Sequence, residues 1–124
     1  MKKLLLTLFF LLFAFPASAK ALELLMAHNP DCHICDRFIN EVAVDYNDSE
    51  LGKRIPLIII SVYDQPEWFK EAYRIGKIKT IRGTPTFIIW NGSHEGGAEI
   101  ARLVGYSNKS RFYSRLNEMF QIDN

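Results

Sequence analysis

The chain has 124 residues, 48% of them hydrophobic and 23% charged, with a formal charge of +1 at neutral pH. That balance supplies neither the basic footprint of a nucleic-acid binder nor a long acidic tail, and the length accommodates one modest core. The only two cysteines are Cys32 and Cys35, and so small a loop cannot staple a domain, because loop-closure stabilisation grows with loop length.

Met1-Lys2-Lys3 precedes an apolar block, Leu4 to Phe15, and then Pro16-Ala17-Ser18-Ala19. A positive start, a short apolar middle and a small-x-small site form the layout of a secretory signal peptide. A spanning helix needs roughly 20 apolar residues, and Pro16 ends this block sooner. The expectation is a signal peptide over 1–19 and one domain over 20–124, soluble and periplasmic after cleavage. No cysteine follows the cleavage site to carry a lipid anchor.

Leu22-Glu23-Leu24-Leu25-Met26-Ala27 is a short apolar run stopped by Asn29-Pro30, which predicts a buried strand. From His33 or Ile34 the period changes: Ile34, Phe38, Val42 and Tyr46 recur at helical spacing and predict an inward stripe, with Asp31 as N-cap. A polar connector covers 47–54. Pro56 to Val62 is β-branched and uncharged, the pattern of a strand covered on both faces. Pro66 suits a first helical position, and the helix from Glu67 to Ile75 should turn Trp68 or Phe69, Ala72 and Tyr73 inward, with Gly76 at its C-terminal cap. Thr84 to Trp90 reads as a third strand, Asn91-Gly92 as a turn opening a glycine-rich loop, and Glu99 to Val104 as an edge strand with one wet face. Ser107 or Asn108 caps a last helix whose inner stripe is Phe112, Leu116, Met119 and Phe120. Two strand-helix-strand units followed by a hairpin predict a small α/β domain. Its four-stranded mixed sheet has the order β-α-β-α-β-β-α, with helices on both faces and parallel pairing in the crossover units.

The chemistry lies in Cys32-His33-Ile34-Cys35. Two thiols two residues apart at the start of a helix can cycle between dithiol and disulfide. Thiolate is the attacking species, and the unpaired amides and positive dipole end of a helix favour it. Cys32, at the helix start, is therefore expected to have a depressed pKa and to exchange with a partner, protonated His33 adding to the effect and Asp31 opposing it. Cys35, one turn in, is expected to keep its proton and resolve the mixed disulfide. Two other readings stay open: a zinc or copper module using Cys32 and Cys35 with His28 and His94 as the two further ligands, and a non-catalytic binding module with a closed disulfide. Covalent haem is excluded, because Asp36 stands where that motif needs histidine.

Three features carry a family resemblance: Cys32-His33-Ile34-Cys35 after the first strand, Arg82-Gly83-Thr84-Pro85-Thr86-Phe87 about fifty residues later, and Val104-Gly105-Tyr106 before the last helix. In this element order the chain resembles thioredoxin-fold proteins in minimal form, over roughly Leu22 to Phe120. Within that family it is similar to small periplasmic proteins that accompany bacterial sulfur-oxidation systems and keep a partner's cysteine reduced. The resemblance implies a cis Thr84–Pro85 bond facing the cysteines, with the Thr84 backbone left to pair with an extended substrate segment. It further implies a cysteine-containing client protein, a membrane or periplasmic thiol donor, no cofactor and a monomer, with reduction of the client favoured over net oxidation. The chain departs from thioredoxin in having Asp31 where a tryptophan precedes the first cysteine, and His33-Ile34 in place of Gly-Pro. Met26 occupies the position of a buried aspartate that moves a proton to the second cysteine. His28 or a bridging water is the substitute considered for that proton.

Overall fold

The computed structural model describes residues 21–92 and 94–121; the expected signal peptide over 1–19 lies outside the described residues. The elements run β1 (Leu22–His28), α1 (His33–Phe38), π1 (Ile39–Ala43), α2 (Val44–Tyr46), α3 (Glu50–Arg54), β2 (Leu57–Ser61), α4 (Glu67–Arg74), β3 (Thr86–Asn91), β4 (Ala98–Val104) and α5 (Lys109–Gln121). The four strands form one mixed sheet in the order β2-β1-β3-β4. This is the α/β architecture with a four-stranded mixed sheet that the element order predicts.

β1 is central, so its apolar run is buried on both faces, and successive side chains enter different cores. Leu24 and Met26 join Phe38, Val42, Phe87, Ile89, Phe112 and Leu116, beneath α1 and α5. Leu25 joins Ile88, Trp90, Phe69 and Ala72, beneath α4. Phe38 is the hub of the first core, with ring centroids 4.6 Å from Phe87 and 5.0 Å from Phe112. α1, π1 and α2 follow one another without a break. A four-residue spacing overshoots a 3.6-residue turn by about 40° each time; the wider π turn corrects the phase, and Phe38, Val42 and Tyr46 are all fully buried. Ile34 is not part of that stripe. Cys35 takes the inward place one position on, and Ile34 is 45% exposed.

Several local expectations are corrected. The polar connector contains α3, capped by Ser49, whose Oγ accepts the Gly52 amide at 3.0 Å. Gly52 lies so close to Tyr46 that a Cβ would collide with the Tyr46 carbonyl. β2 is an edge strand rather than one covered throughout, and Ile59 is 43% exposed. Pro66 sits at the N-cap of α4 with extended ψ rather than inside its first turn. Tyr73 is exposed, because the inward face of this short helix is filled by Phe69 and Ala72. As expected, however, Gly76, at φ 79, terminates α4: Lys77 N–H donates to Ala72 O at 2.8 Å and Gly76 N–H to Tyr73 O at 3.3 Å, a Schellman arrangement. In β4 the register shifts between Ile89 and Trp90, so Ile100 is the extra residue and is exposed. Asn108 rather than Ser107 caps α5, its Oδ1 accepting the Arg111 amide at 2.9 Å.

The largest correction concerns direction. β1 and β2 pair in parallel as expected, but β3 runs antiparallel to β1, with Ala27 opposite Thr86 and Leu22 opposite Asn91. The segment after α4 is the reason. It returns along β4, where Glu99 N–H donates to Lys77 O at 3.1 Å, and so reaches the C-terminal end of β1 before β3 begins. A parallel β3 would start at the far end of the sheet.

Candidate active site

That reversal sets the end of β1 beside the start of β3. After His28 the chain turns through Asn29, whose carbonyl accepts the Cys32 amide at 3.0 Å and whose Oδ1 accepts the Asp31 amide at 2.9 Å. Cys32 then takes the N-cap position of α1 in an extended conformation, and its Sγ accepts the Cys35 amide at 3.1 Å. The cap is thus the cysteine and not Asp31. Asp31 is exposed in the preceding turn, its Oδ2 accepting from the Tyr63 hydroxyl at 3.5 Å. His33 is the first residue of α1 and is exposed.

The two thiols, both free, differ in environment. Cys32 is partly exposed. What burial it has raises its pKa, but hydrogen bonds from the Cys35 and Thr84 side chains and from the Cys35 and Ile34 amides outweigh this, and the thiol falls below its ordinary value. Cys35 is fully buried in the core that holds Met26 and Phe38. Burial pushes its pKa up, the Cys32 side chain adds to the rise, and the Asn29 backbone and Thr84 oppose it. One sulfur is therefore partly exposed with its pKa lowered, while the other is buried with its pKa raised.

Thr84 and Pro85 close the site from the β3 side. Their peptide bond is cis, and the Cys32 thiol donates to Thr84 O at 3.4 Å. Pro85 O accepts the Gly105 amide at 2.8 Å, which draws the Val104-Gly105-Tyr106 turn to the same end of the sheet. Gly105 has φ 81, a conformation that glycine adopts without strain. Tyr106 donates its hydroxyl to Glu41 Oε2 at 2.5 Å, and Arg37 reaches both Glu41 and Ser107 O, so the turn is tied to the helix that carries the cysteines. The Glu41–Tyr106 tie joins residues far apart in sequence, and no spacing pattern announced it.

Met26 is buried and apolar, so no acid stands at that position. His28 ends β1 with its Nε2 buried and without a hydrogen-bond partner among the described residues. His94 is placed elsewhere: it stacks on Trp68 at 4.5 Å and pairs with Glu23 at 3.0 Å, beside a cavity of about 530 Å³ that Trp90 also lines. Among the described residues no group of three or more His, Cys, Asp or Glu is placed to hold a metal ion.

The sequence profile of the thioredoxin-like domain matches residues 15–120. The chain belongs to the thioredoxin-like family. Among solved structures, this thioredoxin-like protein is similar to the reduced form of the periplasmic thioredoxin SoxS from Paracoccus pantotrophus, with 24% identity, coverage of 83% of this chain and 99% of that one, and a TM-score of 0.64. A thioredoxin from Thermus thermophilus matches with 25% identity over 79% of this chain and 72% of its own, at a TM-score of 0.56. The reduced C-terminal domain of DsbD from Neisseria meningitidis matches with 14% identity over 82% and 83%, at a TM-score of 0.51. The likeness to SoxS and to the DsbD domain is one of fold. No curated protein sequence matches the chain.

Proposed function

We propose that this thioredoxin-like protein is an exported thiol-disulfide oxidoreductase that reduces a disulfide of a partner protein through Cys32 and Cys35. The observation that carries the reading is the contrast between the two sulfurs: Cys32 is accessible with a lowered pKa, and Cys35 is buried with a raised one. In the reductive half-cycle the Cys32 thiolate attacks one sulfur of the client disulfide. The client S–S bond breaks, and the departing client thiolate takes up a proton. Cys35 then loses its proton and attacks Cys32 Sγ, which releases the second client sulfur as a thiolate and leaves a Cys32–Cys35 disulfide. Two electrons pass to the client, and a membrane or periplasmic dithiol supplies two more to the Cys32–Cys35 disulfide, becoming a disulfide itself. His28, with its orphaned Nε2 near the end of β1, is the titratable side chain proposed to stand in for the missing acid.

The substrate-docking role of Thr84 and Pro85 rests on the contact of Thr84 O with Cys32 Sγ, and the modulating roles of Asp31 and His33 on their positions beside Cys32. Periplasmic location, action as a monomer and a place beside a sulfur-oxidation system belong to the same proposal. The location and the sulfur-oxidation setting are supported by the signal-peptide layout of 1–19 and by the likeness to a periplasmic thioredoxin. Among the described residues no helix is long and apolar enough to cross a membrane.

The test uses hydroxyethyl disulfide, an uncharged substrate. Reduced wild-type protein should end as an intramolecular disulfide, having released two thiols. Cys35→Ser should retain a mercaptoethanol adduct on Cys32 by mass spectrometry, and Cys32→Ser should retain none. Equal adducts on the two variants would overturn the assignment of roles.

A further inference from the structure

Beside Thr84–Pro85 lies a second cavity, of about 510 Å³, lined by Lys79, Arg82, Gly83, Thr86, Arg102 and Val104 among others. Gly83 and Thr86 bracket Thr84, whose carbonyl meets Cys32, and Pro85, so the groove adjoins the proposed docking edge. The turn between them is closed by Thr86 Oγ1, which donates to Gly83 O at 2.6 Å.

The wall of this groove is held in place from β4. Arg102 pairs with Glu99 at 2.5 Å and donates to Lys79 O at 2.9 Å and Thr80 O at 3.0 Å. Glu99 Oε2 in turn accepts the Lys79 amide at 2.9 Å. The charge of Arg102 is therefore answered locally, and its guanidinium serves to fix the loop. Lys79 and Arg82 differ: both are exposed, and neither side chain has an anionic partner among the described residues. Two uncompensated cations thus stand on a backbone already ordered, so a ligand that meets them need not order the loop as well. Asp31, next to Cys32, is tied to Tyr63 after β2, on the opposite side of β1 from the groove.

We infer that the client is recognised through acidic side chains on the part of its segment that crosses Gly83 toward Lys79 and Arg82. This rests on the exchange function proposed above and names the substrate class for it: an extended cysteine-containing segment with carboxylates on one side of the reactive cysteine. Opposite charges across the groove speed encounter and set orientation, and solvent-exposed pairs of this kind weaken as salt rises.

Binding tests this apart from chemistry. Peptides with serine in place of the reactive cysteine are titrated into the reduced wild-type protein, with two glutamates placed before or after the serine, or two lysines at the same positions, and backbone amides are followed by NMR. At low salt one of the two glutamate peptides should bind about fivefold or more tighter than its lysine counterpart, with the largest shifts at Gly83, Thr86 and Val104, and about 0.5 M salt should remove most of that preference. The Lys79→Glu/Arg82→Glu variant should reverse it. Equal affinity for glutamate and lysine peptides, a preference that survives the double reversal, or shifts confined to the Tyr63 flank would overturn the inference. Failure to reduce hydroxyethyl disulfide would instead count against the exchange function, since that substrate carries no charge and these peptides carry no thiol.

Discussion

The Cys32 sulfur accepts the Cys35 backbone amide at 3.1 Å, so the exposed thiol of the pair is also the cap of its own helix. An anion there answers amides that the helix leaves unpaired. The expected outcome is that a limiting pulse of iodoacetamide at pH 7 modifies Cys32 well before Cys35, as read by peptide mass spectrometry of the reduced protein. Comparable labelling of Cys35 would show that burial does not separate the two.

Stability should follow pH with opposite signs for the two thiols. Cys32 is depressed from 9.0, so its contribution is present above that unfolded value and is lost as pH falls through the folded value. Cys35 is raised from 9.0, so its contribution is present below that value and is lost as pH rises through the folded one. Urea unfolding of reduced Cys35→Ser should therefore show stability rising as pH approaches 9, and reduced Cys32→Ser should show it falling at higher pH, each relative to the double serine variant. The opposite pair of slopes would contradict both assignments.

Thr84 lowers the pKa of Cys32 through its side chain. Thr84→Val keeps the shape and the backbone carbonyl that meets Cys32, and removes the side-chain hydroxyl that favours the thiolate. A hydrogen bond to a charged group is worth about 1.5–3 kcal/mol before solvent weakens it, so alkylation of Cys32 near neutral pH should slow by about three- to tenfold, with its pH profile displaced upward. A lower plateau rate with an unmoved profile would point to access rather than acidity.

Tyr46 is fully buried and donates its hydroxyl to Ile55 O at 2.9 Å, joining the end of the first helical run to the approach to β2. Tyr46→Phe leaves that carbonyl unsatisfied and should cost about 1–3 kcal/mol, a fall in Tm of several degrees. Burial raises the Tyr46 pKa above its ordinary 10.0, with Tyr113 adding to the rise. The stabilisation is therefore present below pH 10 and lost as pH rises through the folded value. The Tyr46→Phe variant should show less alkaline destabilisation than the wild type.

Glu99→Ala removes a carboxylate that is 3% exposed and leaves Arg102, 21% exposed, without its ion pair. Breaking a buried pair costs about 3–5 kcal/mol, and the partial exposure of Arg102 reduces this to about 2–3 kcal/mol. Hydrogen exchange at Lys79, whose amide donates to Glu99, should accelerate markedly while the β1 amides keep their protection. Unchanged exchange at Lys79 would show that the loop is held by other contacts.

Much of this protein is local, and local features were legible. The apolar run of β1, the turn at Asn29-Pro30, the Cys-x-x-Cys pair and the four-residue stripe after it depend on neighbours in the chain, so composition and period placed the thiols at a helix start. Gly76 likewise needed only its own freedom at positive φ to end α4. Strand direction, by contrast, was beyond the period of any segment. β3 runs antiparallel to β1 because the chain after α4 travels back along β4, and that path depends on Lys77, Lys79, Glu99 and Arg102 meeting across about twenty residues. The helical spacing of Ile34 and Tyr73 could not reveal that Cys35, Phe69 and Ala72 would occupy the inward faces. The sequence by itself thus determined that the two cysteines stand two residues apart and that the first lies at a helix start, since those follow from adjacent residues. Only the tertiary structure decided that β3 runs antiparallel to β1 and that Arg102 pins the Lys79 and Thr80 carbonyls, because both depend on contacts whose partners are distant in the chain.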